Sequence, residues 1–166
     1  VESGHTAIAC LQGVGNSSVN RDRVRGWQKG LLDAGLAPRP ALLVGDSHTI
    51  EGGKNAALQA LAQTPRPTAM LALGNLIALG AMQALRQADL HVPGDISLIT
   101  FDEQPWAALL KPALTTVAQP IDDIGDRAMA LLFSQLRPGP TIATPERITL
   151  PVSLIRRESV SAPPAH

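Results

Sequence analysis

Apolar residues in this chain fall into short continuous blocks, separated by longer stretches in which they recur every three or four positions. The blocks are residues 7–11 (AIACL), 41–44 (ALLV), 69–73 (AMLAL) and 96–101 (ISLITF), with a shorter one at 114–117 (LTTV). Blocks of this length, bounded by glycine, proline and polar residues, predict buried strands. The intervening stretches predict helices at residues 21–34, 50–62, 75–88 and 121–136. Asn20 stands where an N-cap of the first helix belongs, Gly35 where it would end, and TPRP, HVPGD and RPGP break the later ones. Residues 148–155 (ITLPVSLI) alternate, and Pro151 predicts an edge strand or a crossing point there.

Strands alternating with helices of about a dozen residues predict βαβ units. Strands that are apolar throughout, rather than on alternate positions, predict a parallel sheet covered on both faces. The expected fold is therefore α/β, a Rossmann-like parallel sheet flanked by helices, without internal repeats. The Ser/Pro/Ala-rich end, residues 159–166, is expected to fray.

Composition narrows the function classes. The 166 residues suffice for a domain with a real core, and 45% hydrophobic against 17% charged residues is a globular balance. A net charge of zero argues against a strongly basic nucleic-acid binder. Cys10 is the single cysteine, so neither an internal disulfide nor a cysteine zinc cluster is expected; it lies in an apolar block as an inert core residue. No apolar run approaches the length of a membrane span, and the start VESGHTAIAC lacks the pattern of a signal peptide. A cytoplasmic protein is expected. Aromatic residues are limited to Trp27, Trp106, Phe101 and Phe133.

Ligands of open α/β sheets bind beyond the carboxyl ends of the strands. Four places qualify: residues 13–20, 45–48, 74–75 and 102–106. On the first helix Val24, Trp27, Leu31 and Ala34 share one arc, with Arg21, Asp22, Arg25 and Lys29 opposite. Arg23 sits at the edge of the apolar arc, in the first turn. It can reach into the crevice, or it can pair with a carboxylate at the sheet edge. Asp102 can cap a short helix beginning near Pro105, or accept hydrogen bonds from ligand hydroxyls. Glu103 reads as a solvated loop charge. Trp106 can fill the core, face an interface or pack on a ligand ring. Asn75 can be an N-cap, and His48 a solvated loop residue. No histidine pair has metal-ligand spacing, no serine sits in a GxSxG elbow, and GVGNSS lacks a nucleotide fingerprint. No metal or cofactor is expected.

The stretch LIALGAMQAL (residues 76–85) is apolar nearly all round, with Gln83 its one polar residue. Such a helix is buried on two sides. The second surface is either a partner subunit, through Leu76, Leu79, Met82 and Leu85, or the chain's own helices.

Six stretches in order, GHTAIACLQG, RVRGWQKGLLDAG, PTAMLALGNLIALGAMQAL, HVPGDISLITFDEQPW, PALTTVAQPIDDIGDRAMALL and RITLPVSLIRRES, resemble the lac repressor/GalR family of bacterial transcription regulators. The resemblance implies a helix-turn-helix headpiece followed by a two-lobed sensor like periplasmic sugar-binding proteins, with an effector between the lobes. On that reading residues 1–118 are the second lobe and the first lobe is largely missing. Residues 119–137 would be the crossover and a helix belonging to the first lobe, and 138–158 the closing strands. Arg23 matches the effector-contacting arginine and Asp102 the acidic residue that accepts effector hydroxyls. Gly74 replaces the first residue of the usual Asn-Asp pair beside Asn75. Ser47 stands where an effector-stacking aromatic is frequent, leaving stacking to Trp106. The helix after Asn75 matches a dimer-forming helix. The implied function is effector sensing, of a sugar or sugar acid, by a dimeric repressor that meets DNA only through its headpiece and touches no membrane. A periplasmic sugar-binding protein of a transport system shares the fold and is the alternative. An enzyme would need a catalytic constellation that the sequence does not display.

Overall fold

The computed structural model of the chain describes residues 1–136 and 147–164. Strand β1 (Ile8–Leu11) leads through α1 (Ser18–Asp33) to β2 (Leu43–Val44), then α2 (Ile50–Leu61), β3 (Ala69–Ala72), α3 (Asn75–Gln87), β4 (Ser97–Phe101), α4 (Pro105–Leu109), β5 (Thr115–Ala118), α5 (Ile121–Leu136) and β6 (Ser153–Ile155). They form one six-stranded sheet in the order β2-β1-β3-β4-β5-β6. The first five strands are parallel, and β6 closes the edge antiparallel to β5, with Val117 opposite Leu154. The expected α/β class and parallel sheet are what the chain forms.

Both faces of the sheet carry apolar side chains, which is why the strands read as unbroken blocks. Ala9, Leu11, Met70, Ala72 and Leu98 enter the larger core together with α2 and α3. Cys10 and Leu73, with Ile8, Leu71 and Phe101 around them, pack with Trp27 and Leu31 of α1 in a smaller core on the other side. Burial raises the Cys10 thiol pKa to about 12, as suits an inert core residue. Beside α1 that second face is open as a trough of about 1220 Å³, lined among others by Trp27, Leu71, Ile99, Phe101 and Leu154.

Several local expectations are corrected. The cap of α1 is Ser17, whose hydroxyl accepts from the Asn20 N–H, so Asn20 lies inside the first turn. Its buried amide instead accepts from the Gly13 N–H and donates to the Gln12 side chain, tying α1 to the end of β1. The block at 41–44 yields only two strand residues, because Pro40 opens a turn of 3₁₀ helix through Leu42. The end of α1 is as expected: Gly35, at φ 74°, closes it in the left-handed conformation, with the Leu36 N–H reaching back to the Leu31 carbonyl.

The second surface of α3 is α2. A Cβ on Gly80 would stand 2.0 Å from the Ile50 carbonyl oxygen, and one on Gly53 would stand 2.4 Å from that of Ile77. The two helices therefore touch backbone to backbone, and Leu85 is 1% exposed within its own chain. Leu85 is thus core and not a partner surface, which corrects its assignment to a dimer face. Leu76 remains 44% exposed, and Leu79 and Met82 are half-buried.

The end of the chain is pinned, not frayed, as far as it is described. Ser159 is fully buried and bridges the Thr115 N–H and the Leu98 carbonyl. His5, also buried, bonds Thr68 through Nδ1 and both the Ser97 hydroxyl and the Ser161 carbonyl through Nε2. Residues 137–146 and 165–166, which hold part of the expected closing segment and of the tail, lie outside the described residues. Helix α5 forms as expected but has no buried residue, so its apolar stripe (Ile121, Ile124, Met129, Leu132, Leu136) faces solvent.

Candidate functional site

The carboxyl ends of β3, β4 and β5 and helix α1 converge on one acidic group. Strand β4 delivers Asp102, whose N–H makes the last rung to the Val117 carbonyl. Asp102 then turns the chain at φ 73°, a left-handed conformation that Asp tolerates better than most residues. Helix α1 brings Arg23 across the end of β3. Its Nη1 donates to the Leu73 carbonyl at 2.7 Å and its Nη2 to Asp102 Oδ1 at 3.3 Å. The guanidinium lies 4.5 Å from the centre of the Phe101 ring, which adds a cation–π contact. Gln119, just past β5, donates its amide to the same Oδ1. Both side chains are largely shielded, Arg23 at 15% and Asp102 at 27% exposed.

Of the two alternatives for Arg23, the pairing with a carboxylate at the sheet edge is the one the structure shows. Asp102 does not cap α4. Gln104 holds the N-cap position, without a side-chain bond, and Asp102 spends its oxygen on Arg23 and Gln119. Glu103 is not a solvated charge. Its carboxylate is gripped by both terminal nitrogens of Arg157, at 2.6 and 3.0 Å, and accepts from the Thr116 hydroxyl. That grip holds the Glu103 carboxyl below its ordinary pKa, against the opposing effect of burial.

The other expected site residues are placed differently. Trp106 packs from α4 against the larger core, on the opposite side of the sheet from the cluster holding Phe101, which is the core-filling alternative. Asn75 is the first residue of α3 and Gly74 its N-cap, so the cap reading of Asn75 is corrected. Asn75 is half-buried and its amide forms no hydrogen bond among the described residues. The Ser47 hydroxyl is engaged with Thr49, which caps α2. The His48 ring lies against Gly13, where a Cβ would stand 1.9 Å from it.

Sequence reasoning missed Gln119. The strand-end rule that selected four loops applies equally to the loop after β5, and would have found it. The Glu103–Arg157 pair had no comparable signal, since its members are 54 positions apart. Among the described residues no cluster of His, Cys, Asp or Glu is arranged to hold a metal ion. The arrangement suits recognition. A fixed guanidinium and a carboxylate with one oxygen already oriented present a fork of donors beside an acceptor.

A family model described as a periplasmic binding protein-like domain matches residues 1–160. A probable opine utilization operon repressor of Rhizobium rhizogenes is 35% identical over 96% of this chain and 89% of its own length. The ribose operon repressor of Escherichia coli K12 is 34% identical over 96% of this chain and 48% of its own. A sugar-binding transcriptional regulator of the LacI family from Escherichia coli, solved in complex with phosphate, superposes with a TM-score of 0.85 at 30% identity, covering 98% of this chain and 57% of that one. Against the ribose repressor and the solved regulator the chain therefore spans about half of their length. With that family model matching nearly end to end, and transcriptional repressors among relatives above 30% identity, the chain belongs to the lac repressor/GalR (LacI) family.

Proposed function

We propose that this chain is the effector-sensing part of a bacterial DNA-binding transcriptional regulator, and that the Arg23–Asp102 crevice binds a sugar or sugar acid. The observation that carries the reading is the convergence of Arg23, Asp102 and Gln119 at the strand ends. A polyhydroxylated ligand needs a carboxylate acceptor held at a fixed angle, and a carboxylated one gains from the arginine fork. Asn75, at the neighbouring strand end and without a side-chain hydrogen bond among the described residues, is a further contact in this reading. Ser47 and Trp106 become secondary candidates, because the structure gives each another task. The names of the relatives, a ribose operon repressor and a sugar-binding regulator, support the ligand class. On this reading the protein binds and does not catalyse. It works in the cytoplasm as a homodimer through the outer face of α3, and meets DNA through a helix-turn-helix outside these residues. A transport protein is less supported, since the matching relatives are repressors.

Titration calorimetry with D-ribose, D-gluconate and related aldonic acids tests the site. Saturable binding is expected, weakened about tenfold to a hundredfold by Arg23→Ala and by Asp102→Ala, the range for losing a hydrogen bond to a charged group. Wild-type affinity in both variants would remove the crevice from consideration.

A further inference from the structure

We propose that Glu103 and Arg157 are a positioning pair for the effector site: they hold the left-handed turn that presents Asp102 and fasten it to the end of β6. The ligand half of this inference rests on the effector reading; the positioning half does not.

A left-handed backbone at a residue other than glycine persists only where its surroundings over-determine it. Asp102, at φ 73°, is anchored on both sides. Before the turn, its own N–H is locked into the β4–β5 ladder at Val117. After the turn, Glu103 is held by the two-pronged contact with Arg157 and by the Thr116 hydroxyl. Arg157 is itself fixed at two further points. Its Nη1 donates to the Leu114 carbonyl at 2.8 Å, and its backbone N–H donates to the Thr115 hydroxyl at 3.0 Å. The fork geometry of guanidinium on carboxylate sets direction as well as distance. With side chains 17% and 30% exposed, the pair is partly withdrawn from water and from screening.

Asp102 keeps its carboxylate on Arg23 and Gln119 only while this turn persists. Without Glu103 held in place, the chain after Asp102 is free to relax toward an ordinary conformation, and the carboxylate leaves its seat. Neither Glu103 nor Arg157 need touch a ligand for this. They act through the backbone of their neighbour, and they connect it to β6, which runs antiparallel to β5.

The test uses the full 166-residue chain with Glu103→Gln, which keeps the side-chain size, and Arg157→Lys, which keeps the charge but loses the fork. Amide hydrogen exchange at Asp102 is compared with that at Met70, buried in the middle of β3, so that global loosening cancels. The side-chain carboxyl ¹³C shift of Asp102 is read in the same samples. Exchange at Asp102 is expected to rise at least about tenfold relative to Met70 in Glu103→Gln, with Arg157→Lys intermediate, and the carboxyl shift to move in the same order. A merely structural staple would raise both exchange rates together and leave the carboxyl shift in place, and that result overturns the proposal. The ligand arm repeats the D-ribose and D-gluconate titrations. Affinity about tenfold weaker in Glu103→Gln supports it, and unchanged affinity alongside altered Asp102 exchange overturns the ligand half alone. Wild-type protein that binds neither sugar counts against the effector reading, while the exchange result still decides the pair.

Discussion

Asp102 carries two demands at once: an acceptor for Arg23 and Gln119, and a backbone in a region where a Cβ is unfavourable. Substitutions separate them. Asp102→Gly loses the acceptor but relieves the backbone, whereas Asp102→Ala loses the acceptor and keeps the unfavourable Cβ. Urea unfolding is expected to show Asp102→Ala about 1 kcal/mol less stable than Asp102→Gly. Equal stabilities would mean that the turn stores no such cost. At this scale the sequence was partly legible. Arg23 and Asp102 could be found because helix periodicity and the strand-end rule are local, and each residue announces its place within a few neighbours. Glu103 could not, since its charge looks solvated until Arg157 arrives from the far end of the chain. Asn20 was misjudged for a related reason: its amide serves Gly13 and Gln12, not the helix it precedes in the pattern.

Among the elements, α3 shows how a correct pattern can support two partners. An all-round apolar helix must be covered twice, and the sequence leaves open by what. The sheet covers one side and α2 the second, where Gly53 and Gly80 let α2 and α3 meet backbone to backbone. The outer side keeps Leu76 exposed, with Leu79 and Met82 partly covered, and this is the face assigned to a second copy. The α2 side and the outer side give opposite outcomes. Gly80→Ala forces a Cβ into the Ile50 carbonyl and is expected to cost about 2 kcal/mol, or about 4 to 8 °C in Tm, without changing the sedimenting mass. Leu76→Glu is expected to leave the monomer's fold intact and to shift a dimer toward monomer in sedimentation velocity. A wild-type chain that sediments as a monomer at high micromolar concentration would remove the dimer assignment. The sheet itself was legible down to the order of strands and helices. The short β2 was not, because Pro40 converts half of its apolar block into a turn.

At the scale of the whole molecule, the two ends of the chain are joined through buried polar contacts, and the one made by His5 is expected to contribute to the response to acid. His5 links the starts of β3 and β4 to Ser161, and Ser159 links β4 to β5. The polar residues near the end read as a frayed tail because their partners lie more than 40 positions away. Burial pushes the His5 pKa below its ordinary value of 6.5, only partly offset by the Ser161 carbonyl. The folded state therefore favours the neutral imidazole. As pH falls through 6.5 the unfolded chain takes up a proton that the folded chain refuses, so stability declines until the lower folded pKa is reached. Glu103 acts in a second, more acidic window. Its pKa is depressed below 4.5 by Arg157, so its contribution is complete above 4.5 and is lost as pH falls through the folded value. Urea midpoints measured from about pH 7 to pH 5 should thus fall for the wild type, while His5→Asn, less stable at neutral pH, should be flatter across that interval. Both proteins should lose stability below 4.5, and Glu103→Gln should blunt that second loss. A His5→Asn variant that kept the wild-type slope between about pH 7 and 5 would remove His5 as the source of that acid sensitivity.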